Sequence, residues 1–243
     1  MTNIAGSAVV VTGGSKGIGK AIARAFLNEG ARVLIAARNP ADLRATADEL
    51  AAVSGRIESI EADVSQEHDV KNLFAVAVNL FGEVDILVNN AGFSRMAPLR
   101  EMEVDDWDAV IATNLRGAFL CTREALKLMT LRKSGRIINI GSISAQRVRP
   151  ESAPYSASKF GLLGLTHVTA LEGREYGISC GILHPGNVRV ERRTHGATAH
   201  DSEPMMEPEE LAAAAIAMAS LPGHVNMLET TVLPIGQPFV GRG

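Results

Sequence analysis

With 243 residues and a formal net charge of −3, the chain has the size of one α/β domain and little charge bias. Its 46% hydrophobic and 21% charged residues are close to the globular average, which argues against a disordered or fibrous protein. No basic block could follow a phosphate backbone, so we expect no nucleic-acid partner. The sequence has no signal-peptide pattern and no apolar run of the ~20 residues that a membrane span needs, so we expect a cytoplasmic protein without membrane contact.

Short β-branched runs alternate with longer segments of helical periodicity. Strands are predicted at 8–12, 32–36, 56–61, 85–88, 136–140, 177–183 and 226–233, and helices at 18–29, 40–53, 66–81, 104–131, 155–175 and 208–220. Continuous apolar strands that alternate with helices indicate parallel pairing through right-handed crossovers. We therefore predict one doubly wound Rossmann-type α/β domain over residues 1–243, with a mostly parallel seven-stranded sheet and helices on both faces.

Residues 187–206 lack clear periodicity and include several charged residues, two histidines and the pair Met205-Met206. We interpret this segment as a loop that covers the substrate site, with a surface connector of no further role as the alternative. His195 and His200 within it are expected to be solvated, and no metal site is expected, because no H-x-x-x-H pair with a third ligand occurs. Cys121 and Cys180 lie in apolar segments and are predicted to be buried core residues.

The first predicted strand ends in the glycine-rich turn T-G-G-S-K-G-I-G, from Thr12 to Gly19, which opens a helix. At this point of an α/β sheet a pyrophosphate can bind the amides of a helix N-terminus. Glycines let the backbone turn tightly and approach the phosphates closely. The spacing G-x-x-x-G-x-G differs from the G-x-G-x-x-G fingerprint, and a purely structural strand-to-helix turn is the alternative.

Three further motifs follow in order: N-N-A-G at Asn89–Gly92, Y-x-x-x-K at Tyr155–Lys159, and P-G at Pro185-Gly186. Together with the T-G-x-x-x-G-I-G turn they span nearly the whole chain. On these motifs the chain resembles the short-chain dehydrogenase/reductase family, and is similar to 3-oxoacyl-acyl-carrier-protein reductases and related carbonyl reductases. The resemblance implies an enzyme that moves a hydride between a nicotinamide cofactor and a carbonyl or secondary alcohol.

The end of the second strand bears on the choice between NAD and NADP. An Asp or Glu there usually holds the ribose hydroxyl of NAD, whereas this chain has Arg38, whose guanidinium suits a 2′-phosphate, and Lys16 as a second cation. We predict NADP(H), although either charge could be a solvated surface residue. The resemblance implies Asp63 as an adenine contact and Asn90 as a cofactor contact; a helix N-cap and a structural turn are the respective alternatives. The predicted cofactor-binding set is Gly13, Gly14, Ser15, Lys16, Gly17, Ile18, Gly19, Arg38, Asp63, Val64, Asn90, Ala91, Gly92, Tyr155, Lys159, Pro185, Gly186 and Val188.

Tyr155 and Lys159 lie four residues apart in a predicted helix, so their side chains share one face. A nearby ammonium lowers the pKa of a phenol from about 10 and prepares it to exchange a proton with a carbonyl oxygen. Ser142 follows a buried strand, at the edge where open α/β sheets bind ligands.

The resemblance implies roles for these residues. Tyr155 would be the general acid/base, Ser142 would hydrogen-bond the substrate oxygen, and Lys159 would tune the tyrosine and hold the nicotinamide ribose. Asn114 would support a proton-relay water, with a buried structural hydrogen bond as the alternative. Ser144 is a second hydroxyl nearby, ranked below Ser142 because Ser142 has the family's separation from Tyr155.

Two departures from the family pattern leave the substrate open. Val190 stands where the family often has a threonine that bonds the nicotinamide carboxamide, and valine cannot make that bond. Val188 can still offer its backbone to the cofactor, so this departure bears on the ordering of the covering loop. The C-terminus also lacks the V-D-G-G strand of many members. A 3-oxoacyl thioester reductase, a sugar or polyol dehydrogenase and a general carbonyl reductase all remain possible. The pocket candidates are Phe93, Ser94, Arg95, Ala145, Gln146, Arg147, Met205 and Met206, and the two arginines suggest an anionic or polar substrate.

Ala157, Gly161 and Gly164 form a small-residue edge on the Tyr155 helix, and family analogy predicts a homotetramer assembled through this helix, with packing on the sheet as the alternative. We also considered a non-catalytic NADP(H)-binding regulator and a methyltransferase. The first has no need for the combination of serine, tyrosine and lysine. A methyltransferase would need an acid to hold the adenosyl ribose, and this chain has Arg38 at that position.

Overall fold

The computed structural model describes residues 3–190 and 203–239 of the chain. In chain order, the elements are β1 (Ala8–Thr12), α1 (Gly17–Asn28), β2 (Arg32–Ala37), α2 (Pro40–Ala51), β3 (Ile57–Glu61), α3 (Glu67–Phe81), β4 (Ile86–Asn89), α4 (Val104–Ile111), α5 (Ala118–Arg132), β5 (Gly135–Ile140), α6 (Ala153–Gly173), β6 (Ile178–Pro185), α7 (Pro208–Ala219) and β7 (Glu229–Val232). Residues 191–202, which include His195, His200 and most of the predicted covering loop, lie outside the described residues.

All the paired strands of the described chain run parallel, in the order β3-β2-β1-β4-β5-β6-β7. The strands β1 and β4 are buried along their whole length, as expected for strands covered on both faces. The predicted Rossmann-type α/β fold is therefore confirmed, and the sheet is entirely rather than mostly parallel. The last strand, β7, is shorter than predicted and only partly buried, because it lies at the edge of the sheet.

Helices cover the two faces of the sheet in two groups. The helices α1, α2 and α7 bury one face with a core that includes Phe26, Leu50 and Leu211. On the other face α3 and α5 pack with Leu73 and Met129, and α6 packs with Leu162. Alternate strand residues such as Val9 and Val10 enter opposite clusters, as the two-residue period of a strand requires.

The segment predicted as one helix over 104–131 is interrupted. Residues Ala112–Gly117 form a π-helical turn between α4 and α5, so the hydrogen-bond ladder is shifted locally. Gly117 packs there against the side chain of Val64, at a distance where a Cβ would lie 2.7 Å from Val64 Cγ2. The side chain of Asn114, in the middle of this turn, bonds a different segment of backbone, as described below.

Strand order reverses between β1 and β4, whose connections leave toward opposite sides of the sheet. In open α/β sheets, ligands bind in the crevice at the carboxyl ends of strands at such a switch point. Here the crevice lies beside the ends of β1 and β4, at Thr12 and Asn89.

Candidate active site

The glycine-rich turn is tied to the N-N-A-G segment. The amide nitrogen of Asn90 side chain, Nδ2, donates to the carbonyl oxygens of Thr12 and Gly13 at 3.0 Å each, and the hydroxyl of Thr12 accepts from the backbone of Asn90 and Ala91 at 3.1 Å. Gly13 has a φ of +64°, and a Cβ on Gly19 would overlap the carbonyl oxygen of Gly13. This packing leaves room only for glycine at these two positions.

Two adjoining cavities follow the crevice. The first, of about 540 Å³, is lined by Tyr155, Lys159, Pro185 and part of the glycine turn. The second, of about 760 Å³, is lined by Arg38, Asp63 and neighbouring residues. Because Gly13, Lys16, Ala91, Gly92 and Phe93 line both, they form one elongated cleft. A cleft that crosses a glycine turn and a helix N-terminus fits an elongated dinucleotide.

Most of the predicted cofactor residues line this cleft, namely Gly13, Ser15, Lys16, Gly17, Ile18, Arg38, Asp63, Val64, Asn90, Ala91, Gly92, Tyr155, Lys159 and Pro185. Gly14, Gly19, Gly186 and Val188 are not among the lining residues of these two cavities. Val188 is buried and pairs with Met206 in a parallel bridge, so Met206 lies in the core rather than in the cleft.

The second cavity is lined by both positively charged residues named from the sequence. Arg38 is exposed, lies 4.0 Å from the carboxylate of Asp63, and places its guanidinium 5.9 Å from the ring centre of Phe93. Lys16 forms an ion pair of 2.7 Å with Asp42, in the first turn of α2. Asp63 accepts from the backbone of Ser65 and does not cap α3, whose N-cap residue is Gln66.

Tyr155 and Lys159 occupy one face of α6 in the first cavity. The ammonium nitrogen of Lys159 is 5.6 Å from the centre of the Tyr155 ring and donates to the carbonyl oxygen of Ile140 at 2.7 Å. Lys159 is only 5% exposed. Its burial lowers the pKa of the ammonium, and the nearby Tyr155 opposes that change.

Ser142 is buried at the end of β5, where it caps a short 3₁₀ turn. Its hydroxyl oxygen accepts a hydrogen bond of 3.0 Å from the backbone amide of Ser144. Its carbonyl oxygen lies 2.9 Å from Nδ1 of His184, a fully buried residue of β6. The backbone and the hydroxyl of Ser142 are thus both held in place.

Asn114 reaches from the π-helical turn to the loop that follows β4. Its Oδ1 accepts from the backbone of Phe93 at 3.0 Å, and its Nδ2 donates to the carbonyl of Phe93 at 2.9 Å and to the hydroxyl of Ser158 at 3.1 Å. The side chain therefore holds Phe93 against α6. These contacts correspond to the alternative stated for Asn114, a buried structural hydrogen bond.

Comparison with known proteins agrees with this geometry. The family profile described as short chain dehydrogenase matches residues 7–200. A 3-oxoacyl-[acyl-carrier-protein] reductase of Synechocystis is 38% identical over 192 residues, 79% of this chain and 78% of the relative. An uncharacterized oxidoreductase of Staphylococcus aureus is 33% identical over 235 residues, 97% of this chain and 100% of the relative. A crystal structure from Agrobacterium tumefaciens, provisionally described as a gluconate dehydrogenase, superposes with a TM-score of 0.88 at 34% identity and covers 95% of each chain.

The chain belongs to the short-chain dehydrogenase family. It is accordingly an oxidoreductase of the class that acts on CH-OH and C=O groups with a nicotinamide cofactor. The described part of this short-chain dehydrogenase has no helix that is long and apolar enough to cross a membrane.

The remaining pocket candidates of the dehydrogenase differ in their exposure and contacts. Phe93 lines the cleft. The guanidinium of Arg95 lies 5.6 Å from the centre of the Phe93 ring and forms an ion pair with Asp106. Ala145 is buried, whereas Gln146 and Arg147 are exposed. Ser94 and Met205 are partly buried, and Val190 lines the cleft against Gly17.

Two residues of the dehydrogenase were not singled out from the sequence, His184 beside Ser142 and Arg149 in the loop before α6. For His184 the signal available in the sequence was a polar residue within a fully buried strand. Arg149 was not considered, and no sequence signal distinguishes it from a solvated arginine. Its contact is to Glu203, far along the chain.

Proposed function

We propose that this short-chain dehydrogenase moves a hydride between NADP(H) and a carbonyl or secondary alcohol, with Ser142, Tyr155 and Lys159 as its catalytic residues. One observation carries the proposal: a buried ammonium lies 5.6 Å from a tyrosine ring, in a cavity continuous with the glycine turn. A catalytic tyrosine needs such a cation, because the positive charge stabilises the phenolate that remains after proton transfer.

The dinucleotide supplies or accepts the hydride when it is bound. Ser142 holds the substrate oxygen, because its hydroxyl oxygen already accepts from Ser144 and its own proton remains to be donated. Tyr155 delivers a proton to that oxygen in reduction and removes it in oxidation. Lys159, fixed by the carbonyl of Ile140, stabilises the phenolate. Two donors on one oxygen lower the barrier in both directions, since they stabilise the negative charge that develops there in the transition state.

Asn114 belongs to the same proposal in a supporting role. Both ends of its amide are engaged by Phe93 and Ser158, so the side chain positions the loop after β4. A relay water would need another acceptor. We propose that a backbone carbonyl of the π-helical turn around Asn114, where the hydrogen-bond ladder is shifted, serves as that acceptor.

Two positive charges in the second cavity support the proposed preference for NADP(H). Arg38 projects at the end of β2 and stacks near Phe93, so a planar guanidinium faces the space where a ribose phosphate would lie. Lys16 adds a second positive charge across the same cavity. An acid that would repel the phosphate is absent from position 38. Asp63, which lines the same cavity, is the proposed adenine contact.

The test begins with titration of NADPH and NADH into the purified protein, followed by absorbance loss of the cofactor across a panel of ketones and aldehydes. We expect tighter binding of NADPH. Tyr155→Phe should lower kcat by about 10² to 10⁴, the usual contribution of general acid catalysis, with cofactor binding retained. Tyr176→Phe is the matched control, since Tyr176 is exposed at the end of α6. Full turnover by Tyr155→Phe contradicts the mechanism, and NADPH binding without any turnover favours a regulatory protein.

We propose in addition that residues 1–243 form one domain that assembles as a homotetramer through α6. Phe160, Val168 and Leu171 on this helix are 47%, 51% and 60% exposed. Ala157 and Gly164 are exposed beside them, whereas Gly161 packs inward on Leu115. Leu171→Asp should lower the mass found by light scattering. Val53→Asp, an equally drastic change on the α2 side of the molecule, should leave it unchanged.

A further inference from the structure

An ion pair joins the loop after Ser142 to the segment before α7. Nη2 of Arg149 lies 3.4 Å from Oε2 of Glu203. The same carboxylate oxygen accepts a shorter hydrogen bond, 2.8 Å, from Nδ2 of Asn187. Glu203 is therefore held more closely by Asn187 than by the arginine, and the contact to Arg149 is at the long end of hydrogen bonding.

The guanidinium of Arg149 has unused donors. Among residues 3–190 and 203–239, Glu203 is its only partner. A guanidinium carries five N–H donors in a planar fork, and a second carboxylate could take two of them in a bidentate pair. The side chain of Arg149 is 29% exposed and that of Glu203 is 14% exposed, so a pair formed here is partly shielded from water.

This pair joins two chain segments that border the catalytic cavity. Arg149 stands in the chain between Ser142 and Tyr155. On the other side, Asn187 follows Pro185-Gly186 at the end of β6, and Pro185 lines the cavity with Tyr155 and Lys159. The loop after β4 contacts the same segment as Arg149, where the backbone of Ala97 donates to the carbonyl of Glu151 at 3.0 Å.

The backbones on both sides of the pair are fixed. The hydroxyl of Ser152 donates to the carbonyl of Arg149 at 2.7 Å and contacts Ser156 in the first turn of α6. The backbone amide of Asn187 donates to Oε1 of Gln237 at 2.8 Å, and its carbonyl accepts from Met206 at 3.0 Å. A charged group on so rigid a frame is preorganised for a ligand.

We propose that Arg149 binds a carboxylate of the substrate, and hence that the enzyme reduces oxo acids, or oxidises the corresponding hydroxy acids, in preference to neutral carbonyl compounds. This inference rests on the proposed function. The carboxylate is unchanged in the reaction: hydride adds to the carbonyl carbon, the C=O double bond becomes a single bond, and the oxygen takes a proton from Tyr155. The hydrogen bond between Asn187 and Glu203 is retained when the substrate binds. Glu203 weakens substrate binding, because its carboxylate competes with that of the substrate for the guanidinium of Arg149.

The test compares acids with their own methyl esters. Pyruvate, acetoacetate and levulinate place the carboxylate at increasing distance from the ketone, and each is measured with NADPH against its ester. The neutral thioester acetoacetyl-N-acetylcysteamine is added to the panel. We expect one of the acids to exceed its ester in kcat/KM by about tenfold or more, the effect of one hydrogen-bonded charge pair.

Arg149→Gln should abolish that preference by raising KM for the acid at nearly constant kcat for the ester. Arg174→Gln is the matched control, because Arg174 is exposed and follows the end of α6 that is remote from Tyr155. Arg147→Gln tests the other pocket candidate in the same loop, whose exposed charge should be screened by salt. Glu203→Gln, whose oxygen can still accept from Asn187, should lower KM for the acid. A merely structural link between Arg149 and Glu203 would instead reduce acid and ester turnover alike in both variants.

The outcomes separate the two proposals. If no carbonyl compound in the panel is reduced, or if Tyr155→Phe is fully active, the proposed function itself is wrong. If esters or the thioester are reduced as well as or better than the acids, or if Arg147→Gln has the effect expected of Arg149→Gln, the enzyme stands and the carboxylate site is overturned.

Discussion

The imidazole of His184 lies against the backbone of Ser142, with Nδ1 2.9 Å from the carbonyl oxygen and 3.3 Å from the amide nitrogen. A carbonyl oxygen only accepts, and its contact is the shorter, so we assign the proton to Nδ1. Burial lowers the pKa of His184, which favours the neutral ring. His184 thus joins β6 to the residue that is proposed to hold the substrate oxygen.

His184→Leu is expected to lower kcat about tenfold or more, because the buried carbonyl of Ser142 loses its donor at a cost of about 1–3 kcal/mol and the serine shifts. His184→Asn should retain most of the activity, since its side-chain amide can donate from a position close to that of Nδ1. Steady-state kinetics at saturating NADPH measure both. Equal loss in the two variants would show that ring packing rather than the hydrogen bond matters.

Gly19→Ala is expected to weaken cofactor binding tenfold or more. The new Cβ would overlap the carbonyl oxygen of Gly13 and the amide of Asn90, so the turn must open to admit it. Gly55→Ala is the control, since nothing lies within 4 Å of a Cβ placed there. Fluorescence titration with NADPH gives the two dissociation constants, and an unchanged value for Gly19→Ala would contradict the packing described for this turn.

Asp42→Asn is expected to tighten NADPH binding by about two- to fivefold and to leave NADH binding nearly unchanged. The carboxylate of Asp42 draws Lys16 away at 2.7 Å, and an exposed pair of this kind is worth about 0.2–1 kcal/mol. Asp48→Asn removes the same charge from an exposed position of α2 and serves as the control. The effect should shrink as salt is added; a gain shared by both cofactors would argue against a phosphate beside Lys16.

Lys159→Met tests the buried ammonium through stability. Burial lowers the pKa of Lys159 in the folded protein, whereas the unfolded chain has the ordinary value of roughly 10.4. Between these two values the unfolded state binds more protons, so stability contributed by this group rises with pH across that window. Denaturant unfolding at about pH 7 and about pH 10 measures the free energy of unfolding of both proteins. The value for the wild type should rise relative to that of the variant at the higher pH. A constant difference would mean that Lys159 is well solvated.

Local patterns in the sequence determined the elements and part of the site. Apolar strands alternate along the sequence with segments of 3.6-residue helical periodicity, and this order predicted the parallel sheet. The pattern is visible in the sequence because the periodicity of each segment reflects the geometry of that helix or strand alone. The glycine turn and the spacing of Tyr155 and Lys159 were also local, and both line the cleft. The π-helical turn at Asn114 was not predicted, because its side chain bonds Phe93, which belongs to another loop.

Tertiary structure alone decided which distant residues meet. His184 lies on β6 and Ser142 follows the neighbouring β5, and Arg149 and Glu203 lie in two loops far apart in the chain. Asp42 meets Lys16 only because α2 returns beside the glycine turn. No periodicity records such pairs, because each depends on the parallel crossovers that carry separate segments to the same edge of the sheet. The sequence thus determined the fold and the reaction class, and the contacts between segments decided how the proposed catalytic groups are held and where a substrate charge would bind.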